Sequence, residues 1–94
     1  AERMDDASFG VAELADALHM DRATLFRRFK QLYAQSPSEW LRDARLERAA
    51  LLLRTRRGSV SEIAYATGFE NLSHFSQTFR KRYGLSPSGY AAEG

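Results

Sequence analysis

An internal repeat constrains the fold of this chain more than any other feature. Leu14-Ala15 and Met20 are matched 49 positions later by Ile63-Ala64 and Phe69. From there the offset is 50, and the matched positions are Leu25, Phe29, Tyr33, Ser36-Pro37 and Trp40 with Phe75, Phe79, Tyr83, Ser86-Pro87 and Tyr90. The second copy therefore has one extra residue in its turn. A repeat of this kind predicts two copies of one supersecondary unit.

Signals for helix starts and ends are frequent along the chain, whereas strand signals are weak. Capping boxes occur at Ser36-Pro37-Ser38-Glu39 and at Ser59-Val60-Ser61-Glu62. Asp21 and Asn71 are further N-cap residues, and Gly10 can cap the first helix. Gly58 and Gly84 are expected to end helices. These signals predict helices over residues 11–18, 22–33, 37–56, 60–67, 72–83 and 87–90.

The pattern of a short helix, a tight turn and a longer helix occurs twice. It predicts an all-α fold of two homeodomain-like helix-turn-helix units in tandem. Residues 1–35 are expected to form the first unit, 36–58 the connecting helix, and 59–94 the second unit with a short final helix. A pair of helical hairpins without any role in DNA binding would show the same apolar positions.

Positive charge is concentrated in the later part of the chain, although the net charge is only +2. From residue 22 onward, thirteen Lys and Arg residues stand against six Asp and Glu residues. The basic residues cluster at Arg22, Arg27, Arg28 and Lys30, at Arg54, Arg56 and Arg57, and at Arg80, Lys81 and Arg82. Such clusters favour a polyanionic partner, and solvated helix surface is the alternative.

Several classes of function find no support in the sequence. Without cysteine the chain has no disulfide or thiolate metal site, which fits a cytoplasmic protein. His19 and His74 lie far apart without metal-ligand spacing, and no glycine-rich phosphate loop or nucleophile elbow is present. No apolar run approaches the ~20 residues of a membrane span. We therefore expect no enzyme, catalytic residue, metal, cofactor or membrane contact.

The apolar stripe of each longer helix predicts which side faces DNA. In the 22–33 helix, Leu25, Phe29 and Leu32 are expected to pack inward. The outward residues then provide Arg27 for guanine, with Ala23 and Phe26 for thymine methyl groups. Phe26 is alternatively a second core residue. Phosphate contacts are expected from Arg22, Arg28 and Lys30.

The 72–83 helix repeats this arrangement with a less basic surface. Phe75 and Phe79 are expected inside, which leaves Gln77 for adenine and His74 and Ser73 for a base or a phosphate. Phosphate contacts are expected from Ser76, Arg80 and Lys81. A connecting helix of about 20 residues spans ~30 Å, close to the ~34 Å between successive major-groove sites. The two longer helices can therefore read adjacent groove segments.

These residues resemble the C-terminal DNA-binding domain of the AraC/XylS family of bacterial transcription regulators, from about Phe9 to Tyr90. The resemblance is strongest in the second copy and extends to the connecting helix; it is carried by Ser61-Glu62-Ile63-Ala64, Gly68-Phe69, Phe75-Ser76, Phe79, Gly84, Ser86-Pro87, Arg45-Leu46, Ala49 and Leu52-Leu53. The stretch 20–28 is similar to family members fused to hybrid two-component sensors.

The resemblance implies two recognition helices that bind double-stranded operator DNA. It implies base contacts at Ala23, Thr24, Phe26 and Arg27 and at Leu72, Ser73, His74 and Gln77. It also implies that the regulator activates transcription through RNA polymerase, and that an N-terminal sensor or receiver domain of the same chain detects the signal.

The chain departs from the family pattern at four places. Only residues 1–3 lie where the family has a leading helix, so we expect a trimmed fragment that lacks part of its first core. Ala34 replaces a glycine, at a cost of ~1–2 kcal/mol if its backbone is left-handed. Gln77 replaces a frequent arginine and Leu72 a frequent proline, which weakens the expectation for the second unit. A helical protein-interaction module, with Phe26 as its anchor, is the alternative function.

Overall fold

The computed structural model describes residues 10–93, and these residues form six helices without a strand. The helices are α1 (Val11–Ala17), α2 (Arg22–Tyr33), α3 (Pro37–Arg54), α4 (Val60–Ala66), α5 (Leu72–Tyr83) and α6 (Pro87–Glu93). The predicted all-α class is confirmed, and α2 and α5 have the predicted bounds. The expectation for a leading helix at residues 1–3 lies outside the described residues. No helix in the described range is long and apolar enough to cross a membrane.

The capping residues predicted from the sequence close the helix starts. In α3 the Ser36 Oγ accepts from the Glu39 N–H at 3.3 Å, and the Glu39 carboxylate accepts from the Ser36 N–H at 2.9 Å. Ser59 and Glu62 repeat this box at α4, with distances of 3.2 and 2.8 Å. The bond from the backbone N–H of Ser36 lowers the pKa of Glu39, and the bond from Ser59 lowers that of Glu62 in the same way. Each box thus satisfies backbone N–H groups that the first turn of a helix leaves unpaired.

The long helix α3 ends at Arg54, so the predicted stop at Gly58 is wrong. Arg56 adopts the left-handed conformation with φ of 55°. Its N–H donates to the Leu53 carbonyl at 3.2 Å, and the Arg57 N–H donates to the Leu52 carbonyl at 3.0 Å. This is the Schellman arrangement, which satisfies the last carbonyl groups of a helix. Arg56 therefore ends the helix in the left-handed conformation, two residues before Gly58, which was expected to do so.

Helix α3 forms the centre of the domain and packs against both helical units. It contacts α1 and α2 on one side and α4 and α6 on the other. The second-unit core contains the buried residues Leu46, Ala49, Ala50, Leu53, Ile63, Ala64, Phe69, Phe75 and Phe79. The first-unit core contains the buried residues Ala15, Leu25 and Phe29. The described residues extend over 41 × 22 × 21 Å, so the two units lie side by side along one long axis.

The buried residues of α2 are Leu25 and Phe29, with the partly exposed Tyr33 ring beside them, and the prediction that Leu32 packs inward is wrong. Leu32 is 70% exposed. The Phe29 ring lies 5.2 Å from the Tyr33 ring and 5.5 Å from the Trp40 ring, centroid to centroid. Trp40 of α3 therefore packs along the i, i+4 row of α2 and leaves the i, i+3 neighbour outside. Phe75, Phe79 and Tyr83 follow the same row in α5, against Tyr90.

Helix α2 ends in a left-handed residue that is not glycine. Ala34 has φ of 57°, whereas Gly84 at the equivalent place in the second unit has φ of 80°. The left-handed conformation brings the Cβ of an L-residue close to backbone and costs ~1–2 kcal/mol. The backbone of Ala34 is therefore left-handed, which is the condition under which the sequence predicted this cost.

Ala34→Gly is expected to raise the free energy of unfolding by about 1 kcal/mol, because relief of the left-handed strain exceeds the added entropy of the unfolded chain. Urea denaturation followed by circular dichroism measures this change. The matched control is Gly84→Ala, where an added Cβ meets no atom within 4 Å and the backbone alone is strained. It should lower stability by a similar amount. Equal stability of wild type and Ala34→Gly would contradict the strain.

Candidate nucleic-acid interface

Helix α2 presents a basic outward face opposite its buried stripe. At 100° per residue, Arg27 lies roughly 200° around the helix from Leu25, which is fully buried. Ala23 and Lys30 flank Arg27, and all three side chains are exposed. Arg22 and Arg28 are exposed at the edges of this face. The expected contact residues of α2 are thus available to a partner, except Thr24, which is half-buried.

The start of α2 is held by a short polar network. The Asp21 carboxylate accepts a hydrogen bond of 2.7 Å from the Thr24 N–H, and this bond is the main reason that the pKa of Asp21 is lowered. The Thr24 Oγ1 accepts a hydrogen bond of 3.4 Å from the Arg27 guanidinium. Thr24 therefore orients Arg27 along the first turns of the helix. This placement leaves the remaining guanidinium N–H groups free to point away from the domain.

Phe26 is 48% exposed, so its interpretation as a core residue is wrong. The Lys30 ammonium lies 5.9 Å from the centre of its ring, within the range of a cation–π interaction. Phe26 also lines a shallow groove with Arg22 and the start of α3. The ring is therefore an apolar surface on the basic face of α2.

Helix α5 presents the equivalent face of the second unit. The Asn71 side chain caps it by accepting from the His74 N–H at 2.9 Å. Gln77 is equivalent to Arg27 and lies opposite the buried Phe75. The other expected contacts, Leu72, Ser73, His74, Arg80 and Lys81, are exposed, whereas Ser76 is half-buried. This face carries its positive charge at its C-terminal end, while the face of α2 carries it throughout.

The start of α3 lies between α2 and α5. Ser38 lines the groove that contains Arg22 and Phe26 of α2. It also lines a second groove, which contains Asn71 and His74 at the start of α5. The grooves beside the N-terminal halves of α2 and α5 therefore meet at this short segment.

Arg42 is a candidate site residue that the sequence analysis missed. It is exposed on α3 and lines a groove with His74 and Gln77 of α5. Its position there depends on the packing of α3 against the second unit, so no local sequence pattern predicts it. Arg42 adds a cation beside α5, the less basic of the two helices.

Arg82 is directed toward α3, unlike its basic neighbours Arg80 and Lys81. Its guanidinium lies 3.2 Å from the Asp43 carboxylate and 3.5 Å from the Glu47 carboxylate. The basic cluster at the end of α5 therefore divides into an internal ion pair and two exposed cations. Within residues 10–93 no group of His, Cys, Asp or Glu side chains has the arrangement of a metal site.

Comparison with known families places this arrangement among helix-turn-helix proteins. A family model described as a helix-turn-helix domain matches residues 14–93. The regulator MtrA of Neisseria gonorrhoeae, named an HTH-type transcriptional regulator, is 37% identical over 86 residues, which are 92% of this chain and 29% of MtrA. Histidine kinase P4 of Formosa agariphila is 35% identical over 89 residues, which are 95% of this chain and 6% of the kinase. The chain thus spans less than a third of these relatives.

A solved structure gives the same fold with DNA present. The DNA-binding domain of AdpA, a global transcriptional factor crystallised in complex with a target DNA, superposes with a TM-score of 0.89 at 36% identity. The match covers 98% of this chain and 82% of that domain.

Proposed function

The chain belongs to the AraC-type helix-turn-helix family of DNA-binding domains, and from this membership we propose how it reads DNA. The family consists of DNA-binding transcription regulators. Here α2 and α5 enter successive major-groove segments of one operator, with residues 36–58 as the rigid connection between units 1–35 and 59–94. The position of Ser38 carries this proposal, because this residue lines the grooves beside the N-terminal halves of both helices and so supports their use on one DNA molecule.

The individual contacts follow from the two outward faces. Arg27 pairs with guanine and Gln77 with adenine, because guanidinium and amide groups match those base edges bidentately. The remaining base contacts are Ala23, Thr24, Phe26, Leu72, Ser73 and His74. Phosphates are held by Arg22, Arg28, Lys30, Ser76, Arg80 and Lys81, which set the register without reading sequence.

The domain acts as the output part of a larger bacterial regulator in the cytoplasm. Relatives that are more than three times as long support this role, and one of them is named a histidine kinase. We therefore propose a sensor or receiver domain elsewhere in the same chain and activation of transcription through RNA polymerase. None of these partners needs to bind the faces of α2 and α5, which stay available for operator DNA.

Selection from a random duplex library at near-physiological salt, followed by sequencing, tests the proposal. We expect enrichment of two short boxes about one helical turn, ~34 Å, apart. Enrichment of a single box would contradict paired reading by α2 and α5. No enrichment by the domain, when circular dichroism shows it to be folded, would contradict sequence reading.

Arg27→Ala is expected to remove the preference at one or two base pairs, a loss of about 1–3 kcal/mol in discrimination. The adjacent Arg28→Ala should weaken binding to all sequences alike, because a phosphate contact carries no base information. Competition binding against a panel of single-base operator variants separates the two outcomes. The pair is matched in residue type and helix, so retained preference in Arg27→Ala would exclude Arg27 as a base-reading residue.

A further inference from the structure

One carboxylate oxygen joins the C-terminal ends of both recognition helices. The Oδ2 atom of Asp43 accepts a hydrogen bond of 2.6 Å from the Gln35 amide, just after the end of α2. The same oxygen lies 3.2 Å from the Arg82 guanidinium, in the last turn of α5. The Asp43 side chain is only 20% exposed. A single side chain of α3 therefore contacts residues from both helix-turn-helix units.

This contact spans a groove that lies beside the second-unit core. The second unit packs on α3 chiefly through α4 and α6. Between α5 and the first half of α3 lies a groove lined by Arg42, His74, Gln77 and Lys81, among others. Arg82 crosses this groove to reach Asp43 and, at 3.5 Å, Glu47. The C-terminal end of α5 is therefore held against α3 by these ion pairs in addition to the burial of Phe79 in the second-unit core.

We propose that Asp43 is a positioning residue, which fixes the angle between α2 and α5 and thereby the spacing of the two DNA boxes that the domain accepts. This inference rests on the proposed reading of two boxes by one chain. Asp43 contacts neither proposed base-reading face, so it acts on specificity only through the relative placement of the helices.

The effect on DNA binding follows from the tethering of two binding units. When one unit is bound, the second binds at an effective concentration set by how rigidly it is held in the matching geometry. A rigid connection gives high affinity for one spacing and penalises others. Loosening it lowers affinity at the preferred spacing and makes other spacings comparatively acceptable. Affinity for an isolated box should not change.

The test compares Asp43→Ala with Glu47→Ala on two duplexes. One duplex carries both boxes at the selected spacing, and the other has one base pair inserted between them. Both variants remove one negative charge from α3, so a general gain in attraction to DNA is common to them. Asp43→Ala also removes the 3.7 Å contact to Arg42, and the single-box duplex reports any effect of that loss. Glu47→Ala removes only the longer contact to Arg82 and leaves the link to Gln35 intact. Fluorescence anisotropy gives the ratio of the two dissociation constants, and a single-box duplex serves as the reference.

Wild type and Glu47→Ala are expected to favour the selected spacing by about tenfold or more, and Asp43→Ala by less than about threefold. Arg82→Met breaks the same link from α5 and should reproduce the reduced ratio. If Asp43→Ala and Arg82→Met both keep the wild-type ratio and all proteins are folded, Asp43 has no positioning role. The proposed paired reading would be unaffected by that result. If wild type binds the two duplexes equally, the proposed paired reading fails, and this role fails with it.

Discussion

Phe75→Ala is expected to lower the free energy of unfolding by about 3–5 kcal/mol, the range for removing a buried aromatic ring. Phe75 has no exposed surface and lies at the centre of the second-unit core. Its ring centroid is 4.9 Å from that of Phe69 and 5.7 Å from that of Phe79. The substitution therefore leaves a cavity in the middle of an aromatic row. Since small domains are stable by only ~5–15 kcal/mol, a large part of the folded state's margin is lost.

Denaturant unfolding followed by tryptophan fluorescence and circular dichroism measures the loss. Phe26→Ala is the matched control, because it removes the same side chain from the other recognition helix at a position that is 48% exposed. Its cost should stay below ~1 kcal/mol, since little buried area is lost and alanine favours the helix. DNA binding should respond in Phe26→Ala even though stability does not. Equal destabilisation by the two substitutions would contradict the assignment of Phe26 to the surface.

The local signals in the sequence were sufficient to predict most of the helices. Caps such as Asp21 and Ser36 act on backbone groups three residues away, so their effect can be read without knowledge of the rest of the chain. The 50-residue repeat showed that Phe29 and Phe79 are equivalent positions. This equivalence predicted that the two units share one architecture. The helical class of the fold and the bounds of the longer helix in each unit, α2 and α5, were therefore predictable.

The predictions were wrong where two neighbouring residues could each have filled the same structural position. Arg56 takes the left-handed position at the end of α3, although Gly58 has the better intrinsic preference for it. Leu32 and Tyr33 both adjoin the stripe of α2, and the position of Trp40 decides which of them packs. That position depends on the crossing of α2 and α3. Periodicity along one helix does not contain this information.

The candidate site divides in the same way. The outward faces of α2 and α5 follow from the position of Leu25 and Phe75, so Arg27 and Gln77 were predictable from the stripe. Arg42 and the link from Asp43 to Arg82 were not, because they bring together residues that lie far apart in the chain. Contacts of this kind exist only after the helices have packed. They are also the contacts that relate one recognition helix to the other.

Affinity for operator DNA is expected to fall roughly 500-fold when salt rises from 50 to 200 mM, by counterion release. Five of the six proposed phosphate contacts are cationic and exposed: Arg22, Arg28, Lys30, Arg80 and Lys81. Five neutralised phosphates give a slope of about −4.5 for log affinity against log salt. An apolar protein-binding surface centred on Phe26 would give a slope near zero. The salt titration therefore separates the two functions that the sequence left open.

Single substitutions locate the charges that produce this slope. Arg80→Ala should make the slope shallower by about 0.9, because one phosphate contact is lost from the face of α5. Arg54→Ala removes the same exposed side chain from the last turn of α3, ~25 Å along that helix from Ser38. Its slope should equal that of wild type, since the far end of α3 lies away from the segment that α2 and α5 flank. Equal changes in both variants would mean that net charge, rather than the placed side chains of the recognition helices, attracts the DNA.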